Sequence, residues 1–163
     1  MTRYVIDSSR SRVTYTGESW GVLAMNFNND QSVTTGEIDY DSHALTIAGE
    51  LLTKFEKVPG GRDTVEFRRT LGIQKPHELH ARKFRFYEDC IELELDMGRG
   101  AHDNQLRVET FEADATTLRI VAEARFPLDG AGDLFDVASR PAAIMITGVV
   151  DLRFELEARS AVH

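Results

Sequence analysis

Residues 118–126 read LRIVAEARF, which places Leu118, Ile120, Ala122, Ala124 and Phe126 on one side of an extended chain and Arg119, Glu123 and Arg125 on the other. Successive side chains of a strand point to opposite faces, so this segment is a strand with one dry face. The same alternation recurs at 82–86, 91–97 and 150–158, and no segment sustains a helical period equally well. One-sided strands must be stacked or rolled up to bury their dry faces. Rolling removes the open edges and encloses an apolar interior. Function is expected inside that interior.

Strands are expected at 4–7, 12–16, 36–40 and 44–55. From Leu79 onward hairpins turn near 88–89, 98–100, 112–114 and 130–132, and a last strand runs from about 144 to 158. Residues 17–35, rich in Gly, Asn and Asp, read as a loop or short helix carrying Trp20, Leu23, Met25 and Phe27, suited to act as a lid. Val58-Pro-Gly-Gly61 is the clearest break, and residues 62–71 after it hold the one short helical crossover, stopped by Lys75 and Pro76. The fold class is therefore all-β, an extended antiparallel barrel of roughly eight to ten strands; a filled β-sandwich is the alternative. The inward set mixes small residues (Gly49, Ala122, Ala124, Gly148, Ala158) with large ones (Tyr15, Tyr40, Phe84, Phe86, Phe126, Phe154). Grouped together, the small ones leave a groove; interleaved, the two kinds interdigitate. Both arrangements stay open.

A length of 163 residues, 42% hydrophobic and 28% charged, fits a single globular domain over 1–163 with a sizeable core. The net charge of -8, with Lys and Arg scattered singly, provides no basic patch for a phosphate backbone, so nucleic acid is not an expected partner. Apolar runs fall far short of the roughly 20 residues that span a bilayer, and no membrane insertion is expected. The opening MTRYVIDSSRSRV lacks an apolar signal core, which favours a cytoplasmic protein. Cys90 is the one cysteine, so no internal disulfide forms; it falls in register with Glu92 and Glu94 and reads as a small outward filler. His77 and His80 would point to opposite faces of a strand and lack a third ligand, so no metal is expected. His43 reads as a turn residue, and His102 to Asn104 as a hairpin tip. Phosphate-binding loops, dinucleotide fingerprints and nucleophile elbows are absent, and no cofactor or catalytic residue is assigned. The nearest catalytic constellation is Asp63, His80 and Tyr87.

Several short motifs, in order along nearly the whole chain, resemble the YceI-like family. Tyr4, Ile6 and Asp7 with Ser11, Val13 and Tyr15 look like its Y-x-I-D and S-x-V-x-F start, and Gly36, Ile38 and Tyr40 like its G-x-I-x-[FY] segment. Arg62, Asp63, Phe67, Arg68 and Leu71, with Pro76 beyond, resemble its R-D-x-x-L-R-x-x-x-F stretch, and residues 148–158 its closing strand. Departures are Glu66 to Arg69 where the family has H-L-R-S, Lys75 in place of a Tyr, and Arg10 near an expected His. The resemblance implies a lipocalin-like barrel that takes a long amphiphile, such as a polyisoprenoid, an isoprenoid quinone or a fatty-acid derivative, into an apolar tunnel without catalysis.

Elementary energetics point the same way, because an apolar chain gains about 0.8 kcal/mol per buried CH2 and needs few polar contacts to bind. Arg62 and Asp63 are candidates for the tunnel mouth and Phe67 for its wall. Strand parity adds Tyr15, Trp20, Tyr40, Phe84, Phe86, Leu93, Leu95, Ile120, Phe126 and Phe154 as walls. The expected partner is thus a long-chain lipid or isoprenoid that is carried or stored, and a homodimer is left open. Two other readings stand beside it: a small barrel isomerase or cyclase acting on an apolar substrate, and a filled interaction module that docks through Trp20, Leu23 and Phe27.

Overall fold

The computed structural model describes residues 1–21, 25–29, 32–55, 77–87, 89–97, 100–127 and 146–161, with backbone alone for 19–21, 25–29, 77, 127, 146 and 147. Ten strands follow in order: β1 (Thr2–Ile6), β2 (Arg12–Gly21), β3 (Met25–Asn29), β4 (Ser32–Asp41), β5 (Thr46–Phe55), β6 (His77–Tyr87), β7 (Cys90–Asp96), β8 (Ala101–Ala113), β9 (Thr117–Pro127) and β10 (Ile146–Ser160). All belong to one antiparallel sheet in which β10 pairs with β9 on one side and with both β1 and β2 on the other. β1 and β2 therefore act as one strand interrupted by the turn at 7–11, and β3 and β4 act as one strand beside them. The result is a closed eight-stranded meander, a single sheet rolled on itself. Two stacked sheets, the sandwich alternative, are not what forms.

The described part of 17–35 is strand rather than the expected loop or short helix, and 22–24, 30 and 31 lie outside the described residues. β2 runs through Gly21, β3 returns from Met25, and β4 begins at Ser32. Gly, Asn and Asp are poor strand formers, but β10 offers a partner at every position from Glu155 opposite Arg12 to Ile146 opposite Gly21, and that ladder overrides local propensity. His102 to Asn104 are likewise inside β8 rather than at a hairpin tip, because the chain turns earlier, at Gly100 with φ +105°. No helix occurs among the described residues, and the expected crossover at 62–71 lies outside them.

Alternation decides what faces inward. Tyr15, Phe154, Ile38, Leu51, Leu79, Ile91, Leu95, Leu106, Leu118 and Ile120 are the largest fully buried side chains, and they belong to one continuous core. β6 keeps its dry face inside by means of a bulge. Arg82 pairs with Glu94 but Arg85 with Glu92, and Lys83 between them takes φ +57°. The extra residue shifts parity, so that Leu79 and Ala81 before the bulge and Phe84 and Phe86 after it all point inward. Thr34 and Thr53, opposite each other on β4 and β5, are buried polar exceptions, and their hydroxyls share one 2.9 Å hydrogen bond. Thr34→Val is expected to cost about 1–3 kcal/mol by stranding the Thr53 hydroxyl, and the double Val variant less than the two single changes summed. Chemical denaturation of the four-member cycle checks this; strict additivity would mean the hydroxyls do not support each other.

Outer faces are polar and tied together across strands. Arg125 meets Asp151 at 2.8 Å and Arg82 meets Glu94 at 2.7 Å. Arg153 forks onto both Glu109 oxygens at 3.0 Å and reaches Glu155 at 2.9 Å, and these carboxylates hold its pKa above the ordinary guanidinium value. Such exposed pairs contribute little singly, but they fix register.

Candidate functional site

The meander gives the barrel two unlike ends. Turns at 42–45, 88–89 and 114–116 all lie at one, here called the lower end; connections 22–24, 56–76, 98–100 and 128–145 join strands at the other, the upper end. Asp side chains organise the lower turns. Asp41 accepts hydrogen bonds from the His43 and Ala44 N–H groups, which places His43 in a turn as its sequence suggested. Asp114 accepts from the Thr116 and Thr117 N–H groups, both at 2.8 Å, and from both hydroxyls. Those donors hold the Asp114 carboxyl down to about 2 from an ordinary 3.8, while the Tyr4 hydroxyl donates to its backbone carbonyl at 2.6 Å.

A folded-state pKa below the unfolded one gives stability that is full above the unfolded value and disappears as pH falls through the folded one. Asp114 should therefore support the lower end above about pH 4 and lose that role between about pH 4 and pH 2. Carboxyl NMR titration is expected to find its midpoint near 2, and Asp114→Asn should flatten the acid limb of the stability curve. A midpoint near 3.8 would show that the turn does not hold the charge.

Aromatic rings close the lower end. Tyr40, Phe86 and Phe111 meet edge to face, with centroid separations of 5.0 Å for Tyr40 and Phe111, 4.7 Å for Phe86 and Phe111 and 6.0 Å for Tyr40 and Phe86. Higher up, Tyr15 stands 5.0 Å from Phe55. Nine of the proposed wall residues, Tyr15, Tyr40, Phe84, Phe86, Leu93, Leu95, Ile120, Phe126 and Phe154, belong to this interior or pack against it. Trp20 is placed by its backbone opposite Thr147, and its side chain is outside the described set. Arg62, Asp63 and Phe67 lie outside the described residues.

Small and large residues interleave along most of the interior. Ala122 lies opposite Phe154 on β10 and Val108 on β8 and is fully buried, and the Phe84 ring lies over Gly49. Ala124 is the exception. It faces Leu152 on β10 but has no partner on β8, is only half-buried, and lines a cleft of about 710 Å³ with the inward Leu93, Asn104 and Phe126 and the outward Arg85 and Arg125. A second hollow of about 690 Å³ adjoins it through Gln105, Ala124 and Arg125. This rim was missed in the sequence, where only the polar His102 and Asn104 at inward positions of β8 hinted at it.

The catalytic constellation does not assemble from its described members. His80 sits near the upper end of β6 on the outer face, 3.7 Å from Glu78, and Tyr87 is 57% exposed at the lower end of the same strand. Cys90, expected outward, is half-buried and donates to the Tyr87 carbonyl at 3.0 Å.

The described strands thus make a closed, lipocalin-like antiparallel barrel, plugged below. No family model matches the sequence, and a comparison with curated proteins finds no match. Solved structures do match. BcnA of Burkholderia cenocepacia superposes with a TM-score of 0.59 at 11% identity, over 94% of this chain and 99% of that one. A polyisoprenoid-binding domain from Saccharophagus degradans gives 0.54 at 14% identity, over 98% and 99%. The likeness is one of fold, and at that level it agrees with the resemblance to the YceI-like family.

Proposed function

We propose that the barrel binds a long apolar amphiphile, an isoprenoid or acyl chain with a polar head, and carries or stores it without changing it. The observation that supports this most directly is the contrast between the packed lower interior and the cleft where β8 and β9 part. Aromatic rings fill the lower end, whereas the cleft beside Ala124 joins the apolar Leu93 and Phe126 to a polar rim. Most of the cleft's lining is polar, Lys83, Glu92, Asp103 and Gln105 among it, with Leu93, Ala124 and Phe126 as the apolar part, so it offers polar partners for an amphiphile's head beside an apolar floor for the start of its chain. That a barrel of the same fold is a polyisoprenoid-binding domain supports the ligand class.

The test is mass spectrometry of the purified chain, native and after organic extraction, together with titration by a fluorescent C18 polyene fatty acid. A co-purified isoprenoid, quinone or acyl species, or saturable binding of the probe at one site, is expected. A clean protein that also ignores the probe would overturn the reading.

A further inference from the structure

The ladder between β8 and β9 stops at Arg107 opposite Glu123, yet both strands continue. Beyond that rung, among the described residues, 101–106 pair with β7 alone and 124–127 with β10 alone. Continued for two residues, the hairpin would set Gln105 against Arg125 on the outer face; instead these two residues flank both hollows.

A comparable fork exists on β5 and β6, whose ladder ends at Glu50 opposite Arg82. That one is stoppered, since Phe84 is 6% exposed and its ring packs 3.3 Å from where a Gly49 Cβ would stand. At the upper fork the inward positions nearest the split hold the half-buried Ala124 and Asn104, and the buried Phe126 and Leu93 border the gap above and beside them. Just below, a charge cluster bolts the strands together: Arg107 to Glu123 at 2.7 Å, and Arg153 to Glu109 at 3.0 Å and to Glu123 at 3.4 Å. The opening thus has a fixed lower limit.

We propose that this fork is a lateral portal, through which a single flexible chain slides sideways into the barrel while its polar head stays outside on the rim. The inference rests on the amphiphile-binding reading and sharpens it. A slit between two strands passes a chain in single file and stops a bulky head, so the barrel selects by chain and tolerates heads of different size. The rim supplies polar partners for the head. Lys83 is engaged by Glu94 and Arg125 by Asp151, while the exposed Arg85 makes no ion pair among the described residues.

The test staples the fork. Gln105→Cys and Arg125→Cys are introduced with Cys90→Ser, because Cys90 lines the adjoining hollow. The two thiols are joined by oxidation, or by a short bis-maleimide if the gap exceeds disulfide reach, and the link is confirmed by mass. Uptake of the fluorescent C18 acid from phosphatidylcholine vesicles, and its release to excess vesicles, are followed before and after linking. Both rates are expected to fall at least tenfold on linking, and for the disulfide to recover on reduction. Unchanged rates in a fully linked sample overturn the portal while leaving binding intact. Failure of the wild-type protein to bind the probe overturns the binding reading instead, and the portal with it. Wild-type barrel should also take up the acid and its bulky-headed phospholipid analogue with rates within a fewfold of each other; exclusion of the latter would overturn the claim that the head stays outside.

Discussion

Ala124→Phe is expected to give a folded barrel that no longer binds a long chain, whereas Ala122→Phe, two residues earlier on the same face, is expected to lose most of its stability. Ala122 is fully buried with Phe154 on one side and Val108 on the other. A ring placed there has to displace both neighbours, and overpacking on two sides costs about 3 kcal/mol or more, a large share of the stability of an ordinary domain. Ala124 has the β10 neighbour but no β8 neighbour, and its methyl borders the cleft. A ring at that position extends into the hollow at a cost of about 1 kcal/mol or less and occupies the space a ligand chain would use. Thermal unfolding and titration with the fluorescent acid separate the cases. Wild-type affinity in Ala124→Phe would mean the ligand does not pass this residue, and an undisturbed Ala122→Phe would mean the β8–β9 rung is looser than the structure has it.

Gly36→Ala is expected to be a far more damaging methyl than Gly100→Ala. Gly36 adopts φ +146°, a conformation side chains rarely tolerate. A Cβ there would overlap the Glu50 carbonyl oxygen and lie 2.8 Å from Leu51 Cδ2 and 2.9 Å from Leu51 Cα. Backbone atoms of a paired strand cannot step aside as a flexible side-chain tip can. Strain and overlap together should cost on the order of 3–5 kcal/mol. Gly100→Ala is the control: its φ of +105° is also unusual, but open space surrounds it, so only the backbone strain applies. Equal losses in the two variants would show that conformation, rather than the close approach of β4 to β5, sets the requirement at Gly36.

Period-two alternation made the strands and most of their inward residues legible. Nine of the proposed wall residues are inside because burial of a strand face leaves parity no freedom. Parity across β6 was harder, since the bulge at Lys83 changes phase without any Gly or Pro to announce it. Residues 17–21 misled because the strand they pair with, β10, is more than a hundred residues away, and local composition carries no record of it. The fork was hidden for a related reason. Whether two continuing strands stay paired depends on the curvature of the whole barrel, and nothing in Gln105 or Arg125 themselves records that they part. Nor could the alternation say whether small and large inward residues group or interleave; they interleave at Ala122 and Gly49 and leave a gap at Ala124.

β10 is the strand on which closure depends. It is hydrogen-bonded to β9 along one edge and to β1 and β2 along the other, so Tyr4 meets Ser160 and Gly21 meets Ile146. During synthesis β1 and β2 leave the ribosome early, yet the edge they offer to β10 stays bare until almost all the other strands have been made. A nascent chain therefore carries an exposed, unpaired strand edge for most of its translation, the condition under which β-rich polypeptides associate with one another. Because the closing contacts join segments so distant in the chain, refolding should take milliseconds to seconds rather than microseconds. Until β10 arrives, that edge is where self-association of the unfinished or refolding chain is expected to start.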